Sequence, residues 1–411
     1  MTAPDVDDQP PAPLLTLTDG PQPVVNTDTE LAEVCARFAA GTGPVAIDAE
    51  RASGYRYSAR AYLIQLRREG SGTALVDPTA FADLTDLQAA TAGEQWILHA
   101  ATQDLPCLRE VGLDPSSLFD TELAGRLLGY PRVGLATLVE SLLGLRMRKE
   151  HSAADWSKRP LPEPWLEYAA LDVEPLVELR ALLTEELESS GKDEWARQEF
   201  AHLLGFQPTV RAEPWRRTSQ LHRVRGRRAL AAVRALWTTR DTIARDRDVT
   251  PGRIIPDSAI IEAALGMPGS RGALLSLPGF KGRGAERYAN RWMTALQEAA
   301  ALPESELPHR NPRSDGPPVA RAWADKDPVA SQRLTLAKES FAALSEEWNT
   351  PAENLLTPDT MRRVLWTPPA TRDEAELSIE IRTALRHLGA RAWQIDLTAP
   401  LLVAAVLGAD T

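Results

Sequence analysis

Five short runs of apolar, β-prone residues dominate the first third of the chain. They lie at Val45–Ile47, Ala61–Leu66, Ala74–Val76, Trp96–Leu98 and Ser117–Phe119. Short loops join the first three runs, which favours antiparallel pairing, and helix-like segments separate the later ones, which favours parallel crossovers. We therefore expect an α/β fold in this region, with a mixed sheet and helices on both of its faces.

One long helix is predicted over Pro162–Leu187, because apolar residues recur along one side of it at three- and four-residue steps. Asp172 interrupts this apolar stripe, and a carboxylate is costly to bury unless something compensates its charge. Tyr168 lies four residues earlier on the same face. This helix face therefore carries the Tyr168 phenol and an acid, Asp172, whose charge must be compensated if it is buried.

The chain has 411 residues, which is too long for one hydrophobic core at roughly 150 residues per domain. The composition divides it into a disordered Pro- and Asp-rich tail at 1–25, an α/β domain at 26–205, a helical domain at 212–302, a Pro-rich linker at 303–322 and a second helical domain at 323–411. The two helical domains share a pattern in which a Pro-containing turn and a Pro-Asp pair follow a helix. This similarity indicates an internal duplication.

The charge distribution is uneven. The whole chain carries a net charge of −11, but residues 211–300 contain 17 Lys and Arg against 8 Asp and Glu, a local charge of +9. A basic module in an acidic protein can attract a polyanion such as nucleic acid. Solvated arginines on a helical surface are the alternative explanation.

Several classes of protein are disfavoured by the sequence. The two cysteines, Cys35 and Cys107, have no metal-ligand spacing, which argues against a disulfide scaffold or a zinc site and favours a cytoplasmic location. The first 13 residues lack the basic and apolar stretches of a secretory signal. The apolar run Ala399–Ala409 is too short to span a bilayer, so we expect a buried helix and no membrane partner.

Two acids close the first predicted strand. Asp48 and Glu50 are two residues apart, so their side chains point the same way if the strand continues. Two carboxylates on one face repel each other unless a cation lies between them. Taken alone, however, such a pair is most often a feature of the protein surface.

Asp104 and Asp172 add two more acids in positions that also have ordinary explanations. Asp104 follows the strand Trp96–Leu98, where a first-turn acid is favoured by the helix dipole, and Asp172 could simply bind a core tyrosine. The combination is more informative, because active sites of open α/β sheets lie at strand ends. Four carboxylates with no lysine cluster nearby need cations, and their hard oxygens favour Mg²⁺ or Mn²⁺. Two such ions about 3.5–4 Å apart recur in enzymes that cleave phosphodiesters.

Together with several neighbouring motifs, these acids resemble those of the ribonuclease D family, which belongs to the tyrosine subclass of the DEDD exonucleases. The matching motifs are I-D-A-E-R at 47–51, L-H-A-A-T-Q-D-L at 98–105, F-D-T at 119–121, D-W-S-K-R-P-L-P at 155–162 and Y-A-A-L-D-V at 168–173. The resemblance covers about residues 25–300 and, more loosely, the rest. Ala49 stands where relatives often have threonine, and we expect this position to act through its backbone.

The resemblance implies an RNase H-like exonuclease domain followed by two all-α HRDC-like helical domains. It implies a 3′–5′ exoribonuclease that uses two divalent ions, Mg²⁺ or Mn²⁺, and releases nucleoside 5′-monophosphates. The residues that would hold the ions are Asp48, Glu50, Asp104 and Asp172, and Tyr168 would orient the attacking water. The implied partner is the single-stranded 3′ end of RNA, with tRNA precursors as substrates.

Further residues are candidates for substrate contacts. Gln65 and His99 are candidates for contacts to the terminal nucleotide, and Ala49 for a substrate contact through its backbone. Trp156, Lys158 and Arg159 are predicted to flank the path of the RNA strand with stacking and phosphate contacts. Packing is the alternative role for Gln65, His99 and Trp156. Contacts to the body of the RNA are assigned to Arg223, Arg225, Arg227, Arg228, Lys281 and Arg283. The last two lie in a glycine-rich stretch, 279–284, that would equally suit a turn between helices.

Two other functions fit the same motifs. The first is the same hydrolysis on DNA, because the catalytic motifs do not discriminate between the two nucleic acids. The second is a non-catalytic scaffold that binds nucleic acid, although the presence of all four acids and Tyr168 counts against it. We expect a monomer in which the second helical domain packs against the other domains instead of gripping RNA.

Overall fold

The computed structural model describes residues 12–148, 153–311 and 316–410. Its first domain contains the strands β1 Val24–Val25, β2 Thr42–Arg51, β3 Ala61–Glu69, β4 Gly72–Val76, β5 Gln95–Leu98 and β6 Ser117–Asp120. They form a six-stranded sheet in the order β1-β4-β3-β2-β5-β6. Strands β2, β3 and β4 pair antiparallel, whereas β1 runs parallel to β4, and β5 runs parallel to both β2 and β6. The five predicted strands and the mixed sheet are confirmed.

Helices surround this sheet. In the described part of the domain they are α1 Asp28–Ala40, α2 Thr85–Thr91, α3 Leu105–Glu110, α4 Thr121–Leu128, α5 Leu135–Leu143, α6 Glu163–Val173, α7 Leu176–Ser189 and α8 Asp193–Leu204. Helix α6 packs across β2, β3 and β4. Its contact residues Ala169 and Ala170 are fully buried, and their small side chains let the helix backbone approach the sheet closely.

The single helix predicted over residues 162–187 is in fact two helices. Helix α6 ends at Val173 and α7 begins at Leu176, with Pro175 between them. Proline has no backbone N–H to donate and its ring clashes with the preceding turn, so a continuous helix is interrupted there. As a result Asp172 lies in the last turn of α6.

The predicted disordered tail at 1–25 is wrong for residues 12–25. Residues 1–11 lie outside the described residues, but the segment from residue 12 onward packs on the first domain. The backbone N–H of Leu15 donates to the carbonyl of Arg146, and the Asp19 carboxylate forms an ion pair with Arg67. Strand β1 then adds an edge to the sheet beside β4. Sequence pattern did not reveal these contacts because a two-residue strand has no measurable period.

The middle helical domain has its own hydrophobic core. Its helices are α9 Arg227–Asp246, α10 Asp257–Gly266, α11 Arg271–Ser276, α12 Arg283–Arg287 and α13 Ala289–Ala301. Leu236 of α9 and Trp292 of α13 are fully buried in this core. Residues 277–282 link α11 to α12, so the glycine-rich stretch 279–284 forms the end of this turn and the start of α12.

The C-terminal helical domain shares its core with the first domain. Its helices are α14 Trp323–Lys326, α15 Pro328–Glu347, α16 Ala352–Leu355, α17 Pro358–Trp366, α18 Glu374–His387 and α19 Ala392–Ala409. Trp195 stacks on Trp393 with ring centroids 4.6 Å apart. The buried Lys192 ammonium donates to the carbonyl of Leu127 and to the Thr350 hydroxyl. This domain therefore packs against the first one, as expected.

Helix α19 is longer than the apolar run that predicted it. Its 18 residues, Ala392–Ala409, make it the one helix in the described ranges that could cross a membrane by length and composition. Its apolar side chains, among them Leu402 and Val406, are instead buried against α15 and α18. The helix is thus the buried core helix that the sequence predicted.

Candidate active site

Two of the predicted acids come from β2. Asp48 and Glu50 occupy alternate positions on this strand, opposite Gln65 and Leu63 of β3, so both carboxylates project from the same face of the sheet. This is the face that α6 covers. Each of Asp48, Glu50 and Asp172 offers a carboxylate oxygen, and these oxygens lie within 4.8 Å of one another.

Asp104 is brought to the same place by a bend after β5. The chain leaves the strand at Leu98, and Ala100 adopts a left-handed conformation with φ of 61°. The Asp120 carboxylate holds this bend, accepting the N–H groups of Ala100 at 3.1 Å and Ala101 at 2.8 Å. The same carboxylate caps α4 by accepting two further N–H groups. Asp120 therefore fixes the segment that leads to Asp104.

Tyr168 and Asp172 are linked along α6. The phenol hydroxyl of Tyr168 donates a hydrogen bond to the Asp172 carboxylate one turn later. Trp156 packs against the Tyr168 ring, with centroids 6.5 Å apart, and is itself fully buried. The tyrosine is consequently held in place from two sides.

The pKa values of the four acids are raised because these side chains are shielded from solvent and lie close to one another. Burial raises the pKa of Asp48 to about 6. Burial and the charge of the neighbouring carboxylates raise the pKa values of Glu50, Asp104 and Asp172 well above their usual range. Burial, followed by the charge of Asp172, also raises the pKa of the Tyr168 phenol. Closely spaced carboxylates of this kind are stable in their ionised form only with cations between them.

The donor set fits a divalent metal ion. The ligand atoms offered by Asp48, Glu50 and Asp172 are all carboxylate oxygens, which are the ligands that Mg²⁺ and Mn²⁺ prefer. The three acids Asp48, Glu50 and Asp172 can hold one ion together, and Asp104 acts electrostatically on both Asp48 and Asp172. The structure brings Asp48, Glu50 and Asp172 together and places Asp104 near enough to act on them electrostatically, and the role of all four acids as metal ligands stays a prediction.

One residue of the site was missed by the sequence reasoning. Nη2 of Arg51 lies 3.7 Å from Oδ1 of Asp104. Its positive charge lowers the pKa values of Asp48, Glu50 and Asp104 against the stronger effect of burial. The available signal was the arginine that directly follows the Asp-x-Glu motif, but strand alternation alone would have aimed it at the opposite face.

Several predicted substrate contacts are corrected by the structure. Gln65 and Trp156 are fully buried, so neither side chain can touch a nucleotide in this conformation. Nδ1 of His99 lies 2.9 Å from the Thr121 hydroxyl, and burial lowers the pKa of this imidazole to about 4. His99 is therefore a neutral side chain with a structural role, which agrees with the alternative interpretation that it serves packing.

Arg159 also has a structural role. Its guanidinium forms two hydrogen bonds with Asp77, at 2.5 and 2.7 Å, and a third with the carbonyl of Tyr62. Ala49 is buried, so its methyl group faces protein atoms. Lys158 is exposed and stays a candidate for a phosphate contact.

The predicted basic residues of the middle domain divide into two groups. The guanidinium of Arg228 donates to the last carbonyls of α13 and pairs with Glu304, which Arg227 also approaches. Arg223 pairs with Glu262 at 2.8 Å. These three arginines therefore serve the fold, which corrects the picture of one open phosphate-binding cluster. The side chains of a second group, Arg225, Lys281 and Arg283, form no ion pair or hydrogen bond with the described residues, and all three residues are exposed.

The middle domain also holds the loop that leaves the active-site strand. The Asp248 carboxylate accepts the backbone N–H groups of Tyr57 and Ser58 at 3.1 and 2.9 Å. The Tyr57 hydroxyl donates to Asp241 at 3.0 Å. Because this loop begins directly after Arg51, the helical domain is attached to the rim of the carboxylate cluster.

Comparison with known families finds three matching regions along the chain. A sequence model described as 3′–5′ exonuclease matches residues 23–188, which include the whole carboxylate cluster. The HRDC domain matches residues 229–296, and a 3′ to 5′ exonuclease C-terminal domain matches residues 316–406. The second helical domain, which we expected to be HRDC-like, therefore matches a separate model, while its helical character is confirmed.

Individual relatives are similar over most of the chain. Ribonuclease D of Zymomonas mobilis is 32% identical over 71% of this chain and 76% of its own length, and that of Escherichia coli is 32% identical over 69% and 76%. The crystal structure of the E. coli enzyme has a TM-score of 0.66 at 28% identity and covers 90% of this chain and 100% of its own. A crystal structure of a protein from Bifidobacterium adolescentis has a TM-score of 0.86 at 39% identity, covering 97% and 100%.

The fold, the cluster of acids and these matches define a 3′–5′ exonuclease. The chain belongs to the ribonuclease D family. It is accordingly a 3′–5′ exoribonuclease that binds RNA and contains an HRDC domain.

Proposed function

We propose that this enzyme removes nucleotides one at a time from the 3′ end of structured RNA by a two-metal-ion hydrolysis. The observation that carries the proposal is the convergence of buried and half-buried carboxylates, three of which, on Asp48, Glu50 and Asp172, offer oxygens within 4.8 Å of one another. In the overall reaction, water attacks the terminal phosphodiester phosphorus and the bond to the neighbouring 3′ oxygen breaks. The products are a nucleoside 5′-monophosphate and an RNA that is shorter by one residue.

In this proposal the four acids would divide between two metal positions. Asp48, Glu50 and Asp172 would hold one ion, and Asp48 and Asp104 would hold the other. Bound ions supply a water of lowered pKa and stabilise the negative charge of the departing 3′ oxygen. The residues contribute by fixing these positions: β2 provides two ligands, the bend held by Asp120 provides the third, and α6 provides the fourth.

Tyr168 would orient the attacking water. Its phenol donates to Asp172, which leaves a lone pair on the phenol oxygen to accept a hydrogen bond from the water. Because burial and Asp172 raise the pKa of this phenol above its usual value, it stays protonated at neutral pH. Tyr168 therefore acts by orientation and not as the general base.

The choice of RNA and the role of the middle domain rest on similarity and charge. The E. coli relative is described as an exoribonuclease involved in structured RNA processing. Such a substrate has a body that must be held while its end is cut, and linked weak sites raise the effective concentration of that end. Arg225, Lys281 and Arg283 would supply these contacts to phosphates, with tRNA precursors as the substrates. A monomeric state and a cytoplasmic location stay predictions.

A time course on a 3′-extended tRNA precursor tests this function. We expect release of nucleoside 5′-monophosphates with Mg²⁺ or Mn²⁺, no release with chelator, and a loss of at least about 1000-fold in Asp48→Asn, which is about 4 kcal/mol of barrier. An oligodeoxynucleotide of matched sequence is the control. Faster release from DNA would reject RNA as the substrate, and equal inactivity of the wild type and the variant would reject hydrolysis at this cluster.

A further inference from the structure

Arg51 has an environment that nothing in the proposed ligand scheme explains. The Arg51 side chain is 29% exposed and stands beside the Asp104 carboxylate, which is almost entirely buried. Its single polar contact in the described part of the chain is the 3.7 Å approach to Asp104. The guanidinium has five N–H donors, and none of them forms a hydrogen bond with the described residues.

Structural arginines elsewhere in this protein look different. Arg159 forms two hydrogen bonds with Asp77, at 2.5 and 2.7 Å, and Arg333 forms two of 2.8 Å with Asp410. Such bidentate pairs satisfy the guanidinium and hold it in one orientation. Arg51 has no comparable partner, so its donors remain available for an anion that arrives from solution.

A register shift between β2 and β3 directs the Arg51 side chain into the site. Glu50 lies opposite Leu63, but the next residue, Arg51, lies opposite Ala61, so β3 contributes one extra residue at this point. An irregularity of this kind turns a strand and changes the direction of a side chain, and it is over-represented next to active sites. It explains how a residue adjacent to Glu50 reaches the same carboxylates instead of the opposite face.

Charge balance indicates which anion Arg51 would meet. Four ionised carboxylates carry four negative charges, and two divalent ions carry four positive ones, so the loaded cluster is neutral. A phosphodiester brings one further negative charge to the site. Arg51 provides the matching positive charge, from a position beside the acid that would hold the ion nearest the leaving group.

We propose that Arg51 is a catalytic residue that donates hydrogen bonds to a non-bridging oxygen of the scissile phosphate. The inference rests on the proposed hydrolysis at this cluster. During that reaction, negative charge is spread over the non-bridging oxygens, so a fixed guanidinium stabilises the transition state. The Asp104 carboxylate keeps Arg51 at the edge of the site until the RNA end arrives.

The first test compares variants by activity. We expect Arg51→Ala to lower kcat/KM on the tRNA precursor by roughly 100-fold, as for other donors that stabilise reacting oxygens, and Arg51→Lys to recover part of that loss. Arg197→Ala is the matched control, because it also removes one positive charge but lies on α8 in an exposed pair with Glu194. Unchanged activity in Arg51→Ala would overturn the proposal.

A binding experiment separates a phosphate contact from a structural role. The probes are a short RNA with an ordinary terminal linkage and the same RNA with an uncharged methylphosphonate at that linkage, each bound in Ca²⁺ and in chelator. Arg51→Ala should weaken binding of the ordinary RNA about tenfold and leave the methylphosphonate RNA unchanged. Its affinity for Mn²⁺ without RNA should stay the same or rise, because a competing cation is removed.

The opposite pattern would overturn the inference. If Arg51→Ala weakens Mn²⁺ binding and affects both RNAs equally, Arg51 only holds Asp104 in place. These binding measurements do not need turnover. Failure of the wild type to hydrolyse RNA would therefore reject the proposed function, while the comparison of the two probes would still decide the role of Arg51.

Discussion

Tyr168 and the four acids around it have protonation properties that bear directly on how the enzyme works. The pKa values of the acids are raised chiefly by burial and by one another, and the pKa of the phenol is raised by burial and by Asp172. In the metal-free protein the acids therefore hold protons at higher pH than ordinary carboxylates. Ions and protons compete for the same oxygens, which couples metal binding to pH.

The role of Tyr168 can be tested by removing only its hydroxyl. We expect Tyr168→Phe to lower kcat by roughly 100-fold because the attacking water loses its orienting partner. The pH profile should keep its shape, since the phenol is protonated throughout the working range. The measurements are kcat against pH and Mn²⁺ affinity by calorimetry. A profile that loses its alkaline rise only in the variant would assign Tyr168 as the base after all.

The raised pKa of Asp48 predicts a pH-dependent stability. Its pKa is about 6 when folded and about 3.9 when unfolded, so the folded state binds more protons between these values. The stability of the metal-free protein due to Asp48 is therefore present below about pH 4 and is lost as the pH rises through about 6. In chelator, Asp48→Asn should gain stability relative to the wild type, and the gain should be larger at about pH 7.5 than at about pH 5.

Denaturant titrations at the two pH values provide this measurement. Saturating Mg²⁺ should reverse the order at the higher pH, because only the wild type keeps the full set of ligands. A stability difference that does not change with pH would show that Asp48 is not the buried, repelled acid described here.

At the level of elements, Asp120 links β5, α3 and α4. Its carboxylate accepts four backbone N–H groups, two from the bend after β5 and two from the first turn of α4. The bend in turn leads to Asp104. Asp120 thus connects the position of α4 to that of Asp104, one of the proposed metal ligands.

Removing this link should affect both stability and the site. We expect Asp120→Ala to lower the free energy of unfolding by about 2–4 kcal/mol, since several buried N–H groups lose their acceptor. Metal affinity should fall with it because Asp104 is no longer held. Asp83→Ala is the control, because that exposed carboxylate accepts a backbone N–H only from Thr85. Equal effects of the two variants on Mn²⁺ affinity would refute the positioning role.

The sequence predicted the strands and the four acids because each signal is local. Alternation placed Asp48 and Glu50 on one face, and strand ends located Asp104. Other features depend on partners that are distant in the chain. The direction of Arg51 follows from a register shift against β3, and Arg228 is engaged by the end of α13 more than seventy residues away. A basic cluster in the sequence therefore does not show which arginines are free to contact phosphates and which are bound to other parts of the fold.

On the scale of the whole molecule, the three domains differ in how they are joined. The C-terminal domain shares one hydrophobic core with the exonuclease domain, whereas the middle domain has a separate core. The middle domain is joined to the active-site loop through polar contacts of Asp248 and Asp241. This arrangement attaches the basic HRDC domain to the site while the C-terminal domain serves as support.

Salt dependence can distinguish the two groups of basic residues. Each phosphate contact contributes about 0.7 to the slope of log affinity against log salt for single strands. Lys281→Ala should reduce this slope by roughly that amount and leave the stability unchanged. Arg228→Ala should instead lower the stability, because it frees the carbonyls at the end of α13, and should keep the slope. Identical salt slopes in the wild type and Lys281→Ala would exclude that contact.

The most direct test is anomalous diffraction from crystals of the protein grown with Mn²⁺ and a short RNA. The signal to be located is manganese at the cluster of Asp48, Glu50, Asp104 and Asp172. The account predicts two manganese peaks about 3.5–4 Å apart, one bounded by Asp48, Glu50 and Asp172 and the other by Asp48 and Asp104. The RNA 3′ end should lie against both of them. Absence of manganese among these four carboxylates, or RNA bound with its 3′ end elsewhere, would contradict it.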